Sequence, residues 1–205
     1  MVKKYLLVLS VLILTLLMVA IPTVYAQTSS GDFTEEPDKS MAKGQESFVK
    51  GDKNKAADYI HDAAAYVRKE ADKVAKDSKE AVKKAGDDLD KLGDGVKKGT
   101  VKSVDELKKT FARVDHELAK AWYKTAEETK KSGKDANDLL KKSGEKLENA
   151  AKWSGNKLKE GVQVFVETVK KIGKGTGKGV KKGAEEANKL FKGIGEGIED
   201  LGRKL

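Results

Sequence analysis

The chain reads as all-α, on three grounds. An apolar pattern recurs every eleven residues, and eleven residues over three turns is close to the pitch of a straight α-helix. After Pro37 there is no further proline, so nothing of that kind interrupts a long helix. No period-two apolar run is long enough to compete as a strand. Three arrangements satisfy these observations: an antiparallel helical bundle, long extended helices, or a chain that becomes helical only when bound.

The N-terminus reads as an address. Lys3 and Lys4 give a short positive start, and residues 5–21 form an apolar run interrupted only by Ser10 and Thr15. Pro22 ends the run, and Val24 and Ala26 put small residues at the −3 and −1 positions of a cleavage site. This is the three-part pattern of a bacterial-type secretory signal over residues 1–26, with cleavage expected between Ala26 and Gln27. The competing reading is an uncleaved anchor, because the run approaches spanning length. Periplasm or cell exterior is the expected location.

Composition narrows the chemistry. The chain has 42 Lys+Arg against 33 Asp+Glu, and its +9 falls to +7 when Lys3 and Lys4 leave with the signal. Acids and bases alternate, so the chain is a polyampholyte rather than a basic tail, and nucleic acid is not an expected partner. The absence of cysteine excludes disulfides, thiolate metal sites and lipid attachment through Cys. After position 26, Leu, Ile, Val and Phe make up 33 of 179 residues, about the fraction at which an ordinary core becomes doubtful. No pocket for a small-molecule substrate is expected, and no cofactor.

Residues 27–39 (QTSSGDFTEEPDK) are polar and turn-rich, and read as a flexible lead-in. Residues 40–205 are the helical repeat region. In rows of eleven counted from Lys131, column six holds Ala136, Leu147, Leu158, Val169, Val180 and Phe191, and upstream Leu92 and Val114. Column ten holds Leu140, Ala151 and Val162, and upstream Val96, Leu107 and Leu118. With Phe111 and Phe165 these side chains form one apolar face on a helical wheel. Lys91, Lys102, Arg113, Lys124, Lys146 and Lys157 border that face on one side, and Lys130, Lys141 and Lys152 on the other. Asp94, Asp105, Glu127, Asp138 and Glu160 lie opposite. Lysines at the boundary can lay their stems on apolar surface while the ammonium stays wet. The pattern suits either an anionic lipid surface or a helix packed against other helices.

The face is thin. It carries Thr125, Thr129, Ser132, Ser143 and Ser154, and glycine recurs at Gly133, Gly144 and Gly155, each costing about 1 kcal/mol in a helix interior. Glycine density places breaks near 86–99, 131–134 and 173–183. A loose second symmetry, with an offset near 80, aligns residues 55–71 with 135–151.

The eleven-residue rows with lysine boundaries resemble the group 3 late-embryogenesis-abundant proteins and the exchangeable apolipoproteins. Residues 156–163 (NKLKEGVQ) and 177–187 (GKGVKKGAEEA) are also similar to the KTKEGV-type rows of synucleins. The resemblance covers roughly residues 76–202. It implies lipid-surface binding or protection on drying, disorder in dilute solution, and no active site.

Candidates for chemistry are sparse. Residues 174–179 (KGTGKG) lack the GxxxxGK[ST] spacing of a phosphate loop. His116 lies between Asp115 and Glu117, but adjacent residues do not share a helix face. Asp58, His61 and Asp62 have spacing for a weak surface metal contact, with a solvated histidine the simpler reading. Trp122 sits at the edge of the apolar face and Trp153 well away from it. The expected function is that of an exported, non-enzymatic structural or interaction protein acting through its amphipathic repeats. A lipid-surface protein and a desiccation protectant are the alternatives.

Overall fold

The computed structural model describes Phe33, residues 35–172 and residues 183–205; for Phe165, residues 169–172 and residues 183–187 it describes the backbone alone. These residues form seven α-helices, one 3-10 turn and no strand. The helices are α1 (Asp38–Val49), α2 (Lys53–Glu70), α3 (Lys79–Lys98) and α4 (Val104–Lys131), then α5 (Asn137–Ser154), α6 (Glu160–Ile172) and α7 (Gly183–Gly202), with the 3-10 turn at Lys76–Ser78. The fold is all-α.

Local signals explain where the helices start and stop. The Asp52 carboxylate accepts a bond from the Lys55 amide at 3.0 Å and caps α2. Ser103 Oγ accepts from the Glu106 amide at 3.2 Å, and the Glu106 carboxylate accepts from the Lys102 amide at 3.3 Å. This reciprocal arrangement is close to a capping box and starts the 28-residue α4. Replacing Ser103 with alanine should therefore cost about 1 kcal/mol. A thermal melt checks this, with a fall of about 2–4 °C expected for a chain of this size.

The glycines do two different jobs. The chain reverses at residues 99–103, where Gly99 takes a φ of +69° that ends α3. Gly133 and Gly155 similarly end α4 and α5. Residues 86–98, expected as a break, are instead helical. A Cβ on Gly86 would stand 2.9 Å from Arg68 Cγ, and one on Gly93 would stand 2.9 Å from the His61 ring. These glycines permit close approach of α2, and that packing outweighs their helix propensity. Reversals also occur at 50–52, 71–78, 132–136 and 155–159, several of them unmarked by dense glycine. The break expected at 173–183 lies almost wholly outside the described residues.

The lead-in also differs from expectation. Phe33 is 4% exposed, and α1 starts inside the segment, at Asp38. Phe33 is held because it stacks on Trp153, with centroids 4.5 Å apart and planes 8° apart.

Two cores result. The first gathers α1 to α4, with Met41, Ile60, Val67, Leu89, Phe111 and Leu118 at its centre. The second lies among α4, α5, α6 and α7, and contains Leu140, Leu147, Val162, Val166, Ile194 and Leu201. Helix α4 separates them, turning Phe111 and Leu118 to the first core and Ala119 and Ala126 to the second. Small polar residues fit where α4 and α5 approach. Ser143 is fully buried, and its hydroxyl donates to the Ala119 carbonyl at 2.8 Å. Thr125 Oγ1 accepts from the Ala75 amide at 2.8 Å and pins the 71–78 reversal to α4.

Candidate functional site

The repeat's apolar columns meet other helices. Leu92, Val96, Leu107, Phe111, Val114, Leu118, Leu140, Leu147, Leu158 and Val162 are all buried. Phe165 and Val169, the other two of the expected face, lie outside the described side chains. The stripe drawn on one continuous helix is cut by the reversals at 99–103, 132–136 and 155–159. Folding back the pieces turns each apolar face toward a neighbouring helix, so the described residues do not form one lipid-facing plane.

The boundary cations divide accordingly. Lys91, Lys102, Arg113, Lys124, Lys152 and Lys157 are exposed. Lys130 is exposed too and lies over the Phe191 ring, 4.3 Å from its centroid. Lys141 is half-buried and pairs with Glu145 at 3.7 Å. Lys146 departs from the expected interfacial role. Its side chain is 14% exposed and pairs with Asp38 of α1, and its Nζ stands 3.7 Å from Asp115 Oδ1 of α4. The α4–α5 crossing aims it inward, onto a carboxylate from each of two other helices.

That triad is the most deeply buried ion-pair cluster among the described residues. Burial first, and the nearby Asp38 charge second, push the Asp115 carboxyl well above the usual carboxylate range. Burial works the same way on Asp38, but the Lys146 charge and hydrogen bonds outweigh it and hold Asp38 below that range. Burial disfavours the Lys146 ammonium, and the two carboxylates more than compensate. Sequence reasoning missed this site because its members are 108 and 31 residues apart. The available signal was Asp115, a charged residue on a helix face that is otherwise apolar.

Both tryptophans pack in the first core. Trp153, placed away from the apolar face by the wheel, is 1% exposed, with Phe111 edge-on at 5.0 Å. Trp122 is 3% exposed, with the Lys142 ammonium 4.3 Å from its ring centroid.

Neither histidine has the surroundings expected from sequence. His61 Nδ1 is 2.7 Å from Asp90 Oδ1, and Nε2 is 3.5 Å from Asp94, both on α3 rather than the local Asp58 and Asp62. Arg68 also pairs with Asp90. Burial opposes ionisation of Asp90, but bonds from His61 and Arg68 keep its carboxyl below the ordinary range. No group of three or more His, Cys, Asp or Glu among the described residues is arranged to hold a metal ion. His116 Nε2 meets the Ile198 carbonyl at 2.8 Å.

The two histidines mark one repeated crossing. Gly93 faces His61 while Gly86 faces Arg68, and Gly202 faces His116 while Gly195 faces Tyr123. Each pair of contacts is seven residues apart on both helices and runs antiparallel. The glycine-bearing stretches match at 86–93 (GDDLDKLG) and 195–202 (GEGIEDLG). His116 follows His61 by 55 residues, which is five eleven-residue rows. The glycine stretches are 109 residues apart, and neither spacing is that of residues 55–71 and 135–151. The Tyr123 hydroxyl, beside Gly195, is pushed up to about 12, chiefly by burial and then by Glu127.

A cleft of about 370 Å³ opens between the end of α5 and α6, with Ala151, Leu158 and Val166 on its apolar side and Lys152, Gln163 and Glu167 at its rim. No helix among the described residues is long and apolar enough to cross a membrane.

A family model described as the suprabasin GxHH repeat matches residues 25–205, and the chain belongs to that family. No curated protein and no solved structure matches the chain. The sequence contains no GxHH tetrapeptide; its two histidines stand singly.

Proposed function

We propose that this member of the suprabasin GxHH repeat family is an exported, non-enzymatic structural protein of the cell envelope or exterior. Its repeats build a helical bundle, and the mixed-charge outer surface meets partners or further copies of the chain. One observation carries this reading: ten apolar residues from the repeat face are buried against neighbouring helices. Burial of that kind is the main driving force for folding in water, so the bundle needs no lipid to form. Export is supported by Lys3, Lys4, the apolar run at residues 5–21 and the Ala26–Gln27 junction. The family match begins at Tyr25 and so leaves that run outside it.

A lipid-surface reading is favoured by α6, where Val164 is 58% exposed beside the buried Val162 and Val166. Far-UV circular dichroism of residues 27–205 separates the two. The bundle reading expects high helicity in buffer, a cooperative melt and no change on adding anionic vesicles. Low helicity that rises with vesicles, and falls again as salt screens the lysines, would replace it with the lipid-surface reading. Helix gained only on drying would point to protection.

A further inference from the structure

Where α1, α4 and α5 meet, two carboxylates are buried against one ammonium. Asp38 is 2% exposed and Asp115 is 0% exposed, and Lys146 pairs closely with Asp38 and more loosely with Asp115, at 3.7 Å. One cation balances one carboxylate, so the second would leave a buried, uncompensated charge. The hydrogen bonding shows the same deficit. Asp38 Oδ1 and both Asp115 oxygens meet no donor among the described groups, and an unmet buried acceptor is costly. A single proton shared by the two carboxyls corrects the charge and engages two of those three oxygens. The other groups facing the triad do not supply a cation. Asn149 of α5 bonds Asp38, and Glu70 at the end of α2 adds a further negative charge near Lys146.

We propose that this shared proton makes α1 a latch: with it bound, α1 lies closed over α4 and α5, and its loss releases α1 while the second core stays folded. The geometry suits such a device. Helix α1 is 12 residues long, contributes Met41 and Ala42 to the first core, and has no residue in the second. Asp38 is its first residue, and Phe33, five residues upstream, is docked separately on Trp153. Release would uncover Ile60, which packs closely on Gly44 of α1.

The pH direction follows from Asp115, whose carboxyl holds its proton more tightly in the closed state than an ordinary aspartate near 3.8. Asp38, held below the ordinary range, contributes above that value, and the contribution of Asp115 to closure is complete below it. It weakens about tenfold per pH unit as pH rises toward the point where buried Asp115 ionises.

Hydrogen exchange of the intact chain and of Asp115→Asn, from about pH 4 to about pH 8, tests this. At each pH the protection of α1 amides is divided by that of the same amides in the variant, which cancels the intrinsic exchange rate. The ratio should fall about tenfold per pH unit through the window, with the ratio for α7 amides unchanged. A flat α1 ratio overturns the latch, and so does an equal fall at α7, which is global unfolding. Asp38→Asn serves as the second variant. It lets Lys146 pair with ionised Asp115, so α1 protection should drop and lose its pH dependence. Retention of the parent's pH dependence would also overturn the proposal.

Discussion

Lys146→Met should cost about 3–5 kcal/mol at neutral pH, because it strips the cation from two buried carboxylates. For a chain of this size that corresponds to a fall in Tm of about 6–20 °C. Methionine is unbranched and close to lysine's stem in length, so the loss reports charge more than a cavity. In the variant both Asp38 and Asp115 must bind protons to stay buried, which raises their folded-state pKa above the unfolded one. Stability from such a group is present in full below the unfolded value and is lost as pH rises through the folded value. The deficit relative to the parent should thus be small near pH 4 and large near pH 8. Adding Asp38→Asn and Asp115→Asn to the same chain should recover most of it. Melts followed by circular dichroism at the two pH values decide the matter. A deficit below about 1 kcal/mol that ignores pH is what an exposed lysine gives, and would remove the triad from the account.

The parts of the fold that were legible in the sequence are those that depend on residues close together in the chain. The eleven-residue columns placed Leu92, Leu107, Leu118, Leu140 and Leu147 on one apolar face, and all are buried. What the wheel could not supply was the partner. A wheel drawn through residues 99–103 keeps a single stripe, whereas the Gly99 turn folds α3 back toward α4 and converts that stripe into facing halves of a core. Glycine was ambiguous for the same reason. Gly99 and Gly155 end helices, while Gly86 and Gly93 lie within one and admit Arg68 and His61. Only the partner helix distinguishes a break from a close approach. The triad was hidden more deeply, since Asp115 and Lys146 look like two more solvated charges in a polyampholyte until α1, α4 and α5 are assembled. The thin face has a similar explanation: Ser143 stands where leucine was wanted because the α4–α5 crossing brings the Ala119 carbonyl within 2.8 Å.

Trp153→Ala should cost about 3–5 kcal/mol, the range for removing a large buried aromatic side chain. Trp153 is 1% exposed, stacks on Phe33 and meets Phe111 edge-on, so truncation removes two ring contacts as well as the indole's own burial. Such aromatic pairs add about 0.5–1.5 kcal/mol beyond area. The indole Nε1 meets no acceptor among the described groups, so its N–H detracts from the site rather than supporting it. Trp153→Phe should therefore be much milder than Trp153→Ala, at about 1.5 kcal/mol or less, because it keeps a ring and discards the unmet donor. The order separates packing from an interfacial role. A tryptophan anchoring the chain at a lipid surface would leave stability in buffer nearly unchanged on truncation, and would weaken vesicle binding instead. Denaturant titration of both variants, with Trp122 as the remaining fluorophore, reads the difference. Because Phe33 is held by this ring, the alanine variant should also lose order upstream of α1, seen as faster proteolysis before Asp38. A cost below about 1 kcal/mol with the N-terminal segment still protected would show that Phe33 and α1 dock on something other than Trp153.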